Sequence, residues 1–217
     1  MTLRGYPFPL VIAAPSGAGK TSLARALVQR YPEEATFSIS ATTRARREHE
    51  RAGKDYYFVD DAEFDAMIEA GELVEWAIVH GRRYGTPQRG VREGIEAGRV
   101  VVLDIDVQGA RQIRRAFEDA VLVFILPPSA AELNRRLTGR GTEQDEDRLR
   151  RLRGARVELE AAAEFDYVIV NDDFDRAFQA LEAIFLAERH RTFRLVGLGS
   201  ELKRLDEELG QLLERSE

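Results

Sequence analysis

The 217-residue chain contains no cysteine, which excludes a disulfide framework, a Cys-ligated zinc site and a thiol nucleophile. It lacks any apolar run near the roughly 18 residues needed to cross a bilayer, and Met1 to Tyr6 carry no signal-peptide h-region. Cytoplasmic residence with no membrane partner is the expectation from these absences. An excess of positive charge is also missing. The formal net charge is −6, which argues against a general nucleic-acid binder. His49, His80 and His190 show neither triad nor ligand spacing, and no repeat or low-complexity segment interrupts the chain. The 44% apolar content is enough to bury the core of one α/β domain with inserted lobes.

What is present is concentrated near the start. The apolar run Phe8 to Ala13 leads into Ala14-Pro15-Ser16-Gly17-Ala18-Gly19-Lys20-Thr21-Ser22 and then a helical stretch, Leu23 to Arg30. Strand, Gly-rich turn and helix in that order form the context of a phosphate-binding loop. Gly17 and Gly19 can adopt backbone angles closed to other residues, so successive N–H groups converge on an anion at the helix N-terminus. Lys20 is placed to reach the β/γ-phosphates of ATP, and the Thr21 hydroxyl to ligate Mg²⁺. Ala14 stands where the strict pattern has its first glycine.

Further along, apolar runs at 8–13, 37–41, 100–105, 121–126 and 167–171 lack clean alternation, as expected for a parallel sheet covered on both faces. Helices are expected at 20–30, 87–97, 107–117, 129–138, 145–163 and 173–190. Between 53 and 86 the pattern changes: Tyr56 to Val59 and Leu73 to His80 read as short strands flanking a helix at 61–70. This predicts a small mixed lobe inserted in the parallel sheet.

Arginines crowd two segments, 44–51 and 135–156. Guanidinium forks bind phosphate bidentately, and Tyr56 and Tyr84 supply phenols suited to the same group. Glu75, between Val74 and Trp76 in an apolar strand, is a carboxylate in need of a partner. Of Asp104 and Asp106, which end another apolar run, one is expected to face ligand or metal-bound water and the other to cap the next helix.

Taken in order, residues 14–20, Thr42-Thr43-Arg44, Gly53-Lys54-Asp55-Tyr56, Glu75-Trp76, Tyr84-Gly85-Thr86, Asp104 to Gly109 and Gly139-Arg140-Gly141-Thr142 resemble guanylate kinases from about residue 8 to 190. The resemblance implies a P-loop NTPase-type parallel sheet with flanking helices, a mixed lobe that binds the nucleoside monophosphate, and an Arg-rich lid. It implies ATP-dependent phosphorylation of GMP to GDP with Mg²⁺. By position, Ser40, Arg44, Arg47, Tyr56 and Tyr84 match residues at the GMP phosphate. Glu75, Thr86 and Asp106 match the guanine side, and Arg136, Arg140 and Arg151 match the catalytic lid arginines. The matching division is a core of 1–36 and 87–190, a lobe of about 37–86 and a lid of about 136–156. The chemistry agrees on the base: guanine offers N–H donors at N1 and N2, which an acceptor-only carboxylate favours. One departure lies at Arg46-Arg47-Glu48-His49-Glu50, which lacks the family's proline and glycine and is expected to alter that loop's path or mobility.

The tail, 191–217, follows the matched region. Leu198, Leu202, Leu205, Leu209 and Leu212 are spaced 4, 3, 4 and 3, an a/d stripe over two heptads. A helix starting near Ser200 is expected, with its stripe packed on its own domain or on a second subunit of a homo-oligomer, a frayed solvated tail being the third alternative.

Overall fold

The computed structural model describes residues 3–138 and 145–215. In chain order the elements begin with β1 (Arg4–Gly5), β2 (Pro9–Ala13), α1 (Lys20–Arg30), β3 (Ala35–Phe37), β4 (Ala41–Thr42) and β5 (Tyr57–Phe58). Next come α2 (Asp61–Glu69), β6 (Leu73–Val79), β7 (Arg82–Pro87), α3 (Gln88–Glu96), β8 (Val100–Asp104) and α4 (Val107–Ala116). The C-terminal part holds β9 (Val121–Leu126), α5 (Ala130–Thr138), α6 (Asp145–Glu160), β10 (Tyr167–Val170), α7 (Phe174–Arg189), β11 (Leu195–Val196) and α8 (Leu198–Glu214).

The central sheet has five strands in the order β10-β9-β2-β8-β3, all paired in parallel. Its middle strands are buried along almost their whole length, which explains their continuous rather than alternating apolar sequence. On one face Leu10, Ile12, Val102 and Val123 pack with Leu23 and Leu27 of α1 and Leu181 and Phe185 of α7. On the other, Val11, Val101 and Leu103 pack with Val91 of α3 and Ile113 of α4. The P-loop follows β2, near the middle of this sheet, so the loop rests on the most constrained part of the fold.

A separate four-stranded sheet, β5-β4-β7-β6, forms the lobe. It is mixed: β4 runs parallel to β5 and antiparallel to β7, which is antiparallel to β6. Helix α2 enters with a capping box, in which Asp60 accepts from the Glu63 N–H and Glu63 bonds the Asp60 N–H. The lobe is clasped to the core by Gln112 of α4, whose amide accepts from Trp76 N–H and donates to Trp76 C=O on β6.

Three element expectations change. The single strand at 37–41 divides into β3, which closes the core sheet, and β4, which belongs to the lobe; the chain crosses between sheets at Ser38 to Ser40. Strand β7, Arg82–Pro87, went unread because Arg82-Arg83-Tyr84-Gly85-Thr86 is polar, and it is held instead by pairing between β4 and β6. The tail helix begins at Leu198, with Gly197 at φ 81° as its N-cap rather than Ser200. Nor does the helix pack on its own domain: none of its residues is buried, and Leu202, Leu205, Leu209 and Leu212 are all exposed.

Candidate active site

Core and lobe face each other across a cleft of about 960 Å³, lined by residues from the P-loop, the 40–56 segment, β6, β7, the end of β8 and α6. A second hollow of about 80 Å³ lies inside the P-loop itself, lined by Ser16, Gly17, Gly19, Lys20, Thr21 and Ser22.

The loop's shape comes from its glycines. Gly17 and Gly19 have φ of 92° and 98°, in the left-handed region that favours glycine. A Cβ on Gly19 would also strike the amide of Asn171, which donates to the Ala18 carbonyl at 2.7 Å. Asn171 therefore braces the loop from the end of β10, a role the sequence did not suggest. Ala14, at the position of the missing first glycine, is buried and packs in the core, so the departure is absorbed without opening the loop.

At the start of α1, Lys20 Nζ lies 3.0 Å from Asp104 Oδ1, and the Thr21 hydroxyl donates to Asp104 Oδ2. Enclosure in the cleft opposes the Lys20 charge, but the charge and hydrogen bond of Asp104 outweigh it and hold its pKa above the ordinary value. Asp106 has a different task. Its side chain accepts from Gly109 N–H at 2.9 Å and caps α4. The two aspartates thus divide as expected, Asp104 toward the P-loop and Asp106 to the helix cap, although Asp106 also lines the cleft.

On the opposite wall, Arg44 Nε donates to Tyr84 Oη at 3.2 Å, and its two Nη groups hold Glu50 at 2.7 and 3.1 Å. The guanidinium carbon lies 5.4 Å from the centroid of the Tyr56 ring, which packs edge-on to Tyr84. Burial first, and then the negative Asp104, raise the Tyr56 pKa, so its phenol remains a hydrogen-bond donor. Ser40 and Arg47 line the same wall. Glu50 and Asp55 were missed by sequence reasoning. Asp55 accepts from Arg51 N–H at 2.7 Å and from Arg25 Nη2 of α1 at 2.6 Å, tying the lobe to the core.

Glu75 is 3% exposed and accepts from the Thr86 hydroxyl at 2.5 Å. Thr86 is fully buried and acts on the cleft through Glu75. Burial chiefly raises the Glu75 pKa to about 7, with the Thr86 hydrogen bond opposing and Asp106 adding to the shift. Gly109 explains itself here, because a Cβ at that position would run into the Glu75 carboxylate.

The lid arginines separate. Arg151 on α6 lines the cleft and donates to the Ser16 hydroxyl at 2.7 Å. Arg136 does not line the cleft: its Nε pairs with Glu132 one turn earlier at 2.7 Å, and its Nη2 donates to the Asn171 carbonyl at 3.1 Å. In this conformation the expectation of Arg136 at the reacting phosphate is not met, because a local i,i+4 partner holds it. Arg140 lies outside the described residues. An unanticipated carboxylate, Glu158 of α6, lines the cleft near Lys20 and the Ser16 N–H, and burial raises its pKa.

Comparison with known proteins accounts for this arrangement. The family model described as guanylate kinase matches residues 6–188. The chain belongs to the guanylate kinase family. It is 52% identical to the guanylate kinase of Myxococcus xanthus over 195 residues, covering 88% of this chain and 93% of that protein. The guanylate kinase of Nocardia farcinica is 51% identical over 84% of this chain and 95% of its own length. A crystal structure of guanylate kinase from Anaplasma phagocytophilum superposes with a TM-score of 0.79 at 36% identity, covering 93% of this chain and 96% of that one. The family match ends before α8, leaving the leucine stripe outside it.

Proposed function

We propose that the cleft performs the guanylate kinase reaction, ATP-dependent phosphorylation of GMP to GDP, with the P-loop wall holding ATP and the lobe wall holding GMP. The observation that carries the reading is a single cleft joining Lys20 and Asp104 to Arg44, Arg47, Tyr56 and Tyr84, with the buried Glu75 at its lobe side. In this reading the core of 1–36 and 87–190 binds ATP, the lobe of about 37–86 binds GMP, and the lid of about 136–156 closes over both.

The GMP phosphate is already anionic, so its oxygen attacks the γ-phosphorus without a general base while the bond to the β–γ bridging oxygen breaks. Catalysis then consists of in-line positioning and charge stabilisation. Residues 16–21 present backbone N–H groups to the ATP phosphates, and Lys20 exchanges its bond to Asp104 for the β/γ-oxygens. Arg151 is placed to follow the transferred group as it departs from the Ser16 side. Arg136 must first release Glu132 to join it, and Arg140 completes the proposed set. Ser40, Arg44, Arg47, Tyr56 and Tyr84 fix the acceptor phosphate, while Glu75, oriented by Thr86, reads the guanine N1 and N2 donors beside Asp106.

Mg²⁺ fits the oxygen donors at the start of α1. A hydroxyl backed by a carboxylate, Thr21 on Asp104, suits a hard cation that keeps most of its shell as water and phosphate oxygen. No cluster of three or more His, Asp or Glu side chains that could hold a metal occurs among the described residues. When bound, the ion offsets charge on the β- and γ-phosphates.

No helix of the described residues is long and apolar enough to cross a membrane, and the cytoplasm is the proposed compartment. No nucleic-acid partner is proposed for this acidic chain. Homo-oligomerisation through the exposed α8 stripe is the proposed use of the tail. A coupled assay of ADP release with GMP, AMP, UMP and ribose bisphosphate tests the central reading: strong preference for GMP is expected, and turnover of another acceptor in its place overturns it.

A further inference from the structure

Glu50 is 7% exposed in a segment crowded with arginines, and nearly every polar atom it has is used to shape residues 44–50. Its carboxylate takes both Nη groups of Arg44, at 2.7 and 3.1 Å, and the main-chain N–H of Arg47 at 2.8 Å. Its own N–H donates to the Arg47 carbonyl at 3.1 Å, and its carbonyl accepts from Arg46 Nη1 at 3.0 Å. Burial works to raise the Glu50 pKa, but the Arg44 and Arg47 hydrogen bonds and charges bring it below the ordinary carboxylate value. The group is therefore a fixed anion at neutral pH. Arg46 and His49 stand where the family has residues that restrict or free the backbone, and hydrogen bonds to Glu50 set the loop's path instead.

The same contacts separate the two arginines that face the acceptor phosphate. A guanidinium has five N–H donors. On Arg44, Nε is spent on Tyr84, and the Nη groups serve Ala45 C=O and the two Glu50 oxygens, which leaves one N–H uncommitted. Its face is covered by the Tyr56 and Phe58 rings, 5.4 and 5.9 Å away. Arg47 is the reverse case: it lines the cleft, and among the described residues its guanidinium has no hydrogen-bond or ion-pair partner. Of these two arginines, Arg47 is the one that can offer a complete fork to a phosphate among the described residues.

We infer that Glu50 is a positioning residue of the monophosphate subsite, locking Arg44 into the wall and aiming Arg47 as the bidentate phosphate ligand. This rests on the reading of the lobe wall as the GMP side. In Glu50→Gln one acceptor oxygen becomes a donor facing guanidinium, so the Arg44 clamp and the Arg47 backbone both loosen.

Steady-state kinetics of Glu50→Gln should show a KM for GMP raised roughly 10- to 100-fold, from the loss of charge-assisted hydrogen bonds. The value of kcat should stay within about threefold, and KM for ATP should not move. Guanosine, which lacks the phosphate, should inhibit wild type and variant equally. In a companion pair, Arg47→Lys should weaken GMP without changing the melting temperature, whereas Arg44→Lys should lower both. An unchanged KM for GMP in Glu50→Gln overturns the inference. So does an equal loss of GMP, guanosine and ATP, which would mark Glu50 as a general stabiliser. Should the wild type prefer another monophosphate, the guanylate reading fails, and the same KM split is then read with that substrate.

Discussion

The two anion-binding walls of the cleft are built by different means. The P-loop wall is contiguous, residues 14–21, and its form is set by backbone torsions at Gly17 and Gly19 and by the N-terminus of α1. The lobe wall gathers Arg44, Glu50 and Tyr56 from the segment between β4 and β5 and Tyr84 from β7, and side-chain hydrogen bonds hold it together. A backbone site tolerates change in its side chains but not in its glycines. A side-chain site depends on residues that hold its other side chains, as Glu50 holds Arg44 and Thr86 holds Glu75. In the proposed reading the comparison also separates robustness from specificity: the first wall is suited to any polyphosphate, whereas the second would join a phosphate fork to a carboxylate that reads the base.

The largest expected effect probes the P-loop wall. Lys20→Met should reduce kcat for GMP phosphorylation on the order of 10²–10³-fold, the range seen when one preorganised donor to developing charge is removed. It should also lower stability by about 1–3 kcal/mol, because Asp104, whose side chain is 6% exposed, loses its ion-pair partner. Near-normal turnover in a steady-state assay would show that the loop is not the catalytic wall.

Glu75→Gln tests the other side. Preference for GMP over AMP should shrink by about 1.5–3 kcal/mol, the scale of one charge-assisted hydrogen bond, read as the ratio of kcat/KM values. The pH dependence has a definite sign. The folded-state pKa is raised from 4.5 to about 7, so this group's contribution to stability is fully present below about 4.5 and is lost as pH rises through about 7. On the proposed role of Glu75 as guanine acceptor, binding needs its ionised form, so GMP affinity should fall about tenfold per unit as pH drops below 7. Both slopes should be absent in Glu75→Gln, by thermal melts and by titration across pH 5–8. Equal slopes in variant and wild type would remove Glu75 from base recognition.

Gly19→Ala sharpens the contrast between backbone and side chain. With φ at 98° and a Cβ directed at the Asn171 amide, it should cost about 1–3 kcal/mol in strain alone, read by denaturant unfolding. ATP should be weakened more than GMP. A cost below a few tenths would mean that the loop's shape is not set by its torsions.

The smallest expected effect lies in the tail. Truncation after Val196 keeps β11 and its pairing with β1 and removes a helix with no buried residue. The unfolding free energy of the dilute monomer should change by less than the roughly 0.5 kcal/mol typical of surface changes. Light scattering should show a smaller, less concentration-dependent mass if the leucine stripe joins two subunits. An unchanged mass would leave the stripe without that role.

Much of the P-loop wall could be read from sequence because it is local. The run 14–21 carries its own turn, anion site and helix start, and the central strands were legible because double burial leaves no polar alternation. The capping of α4 by Asp106 was one of two open alternatives, and the Gly109 N–H, three residues along, settled it. Strand β7 escaped because its residues are polar and pair with strands distant in the sequence. Glu50 gave no signal beyond one acid among several in a charged loop, since its partners are defined by the folded path of that loop. Arg136 was placed by resemblance at the phosphate, but Glu132 one turn away competes for it, and local pairing prevails in this conformation.

The sequence by itself determined the phosphate loop, the parallel core and the family, because each rests on short-range spacing or on continuous apolar strands. Only the tertiary structure decided which aspartate meets Lys20, which arginine is held by Glu50 and why Gly109 must be glycine. Those are distances set by the folded path of the chain. Gly109 lies 34 positions beyond Glu75 in sequence, yet only its missing side chain leaves room for the Glu75 carboxylate.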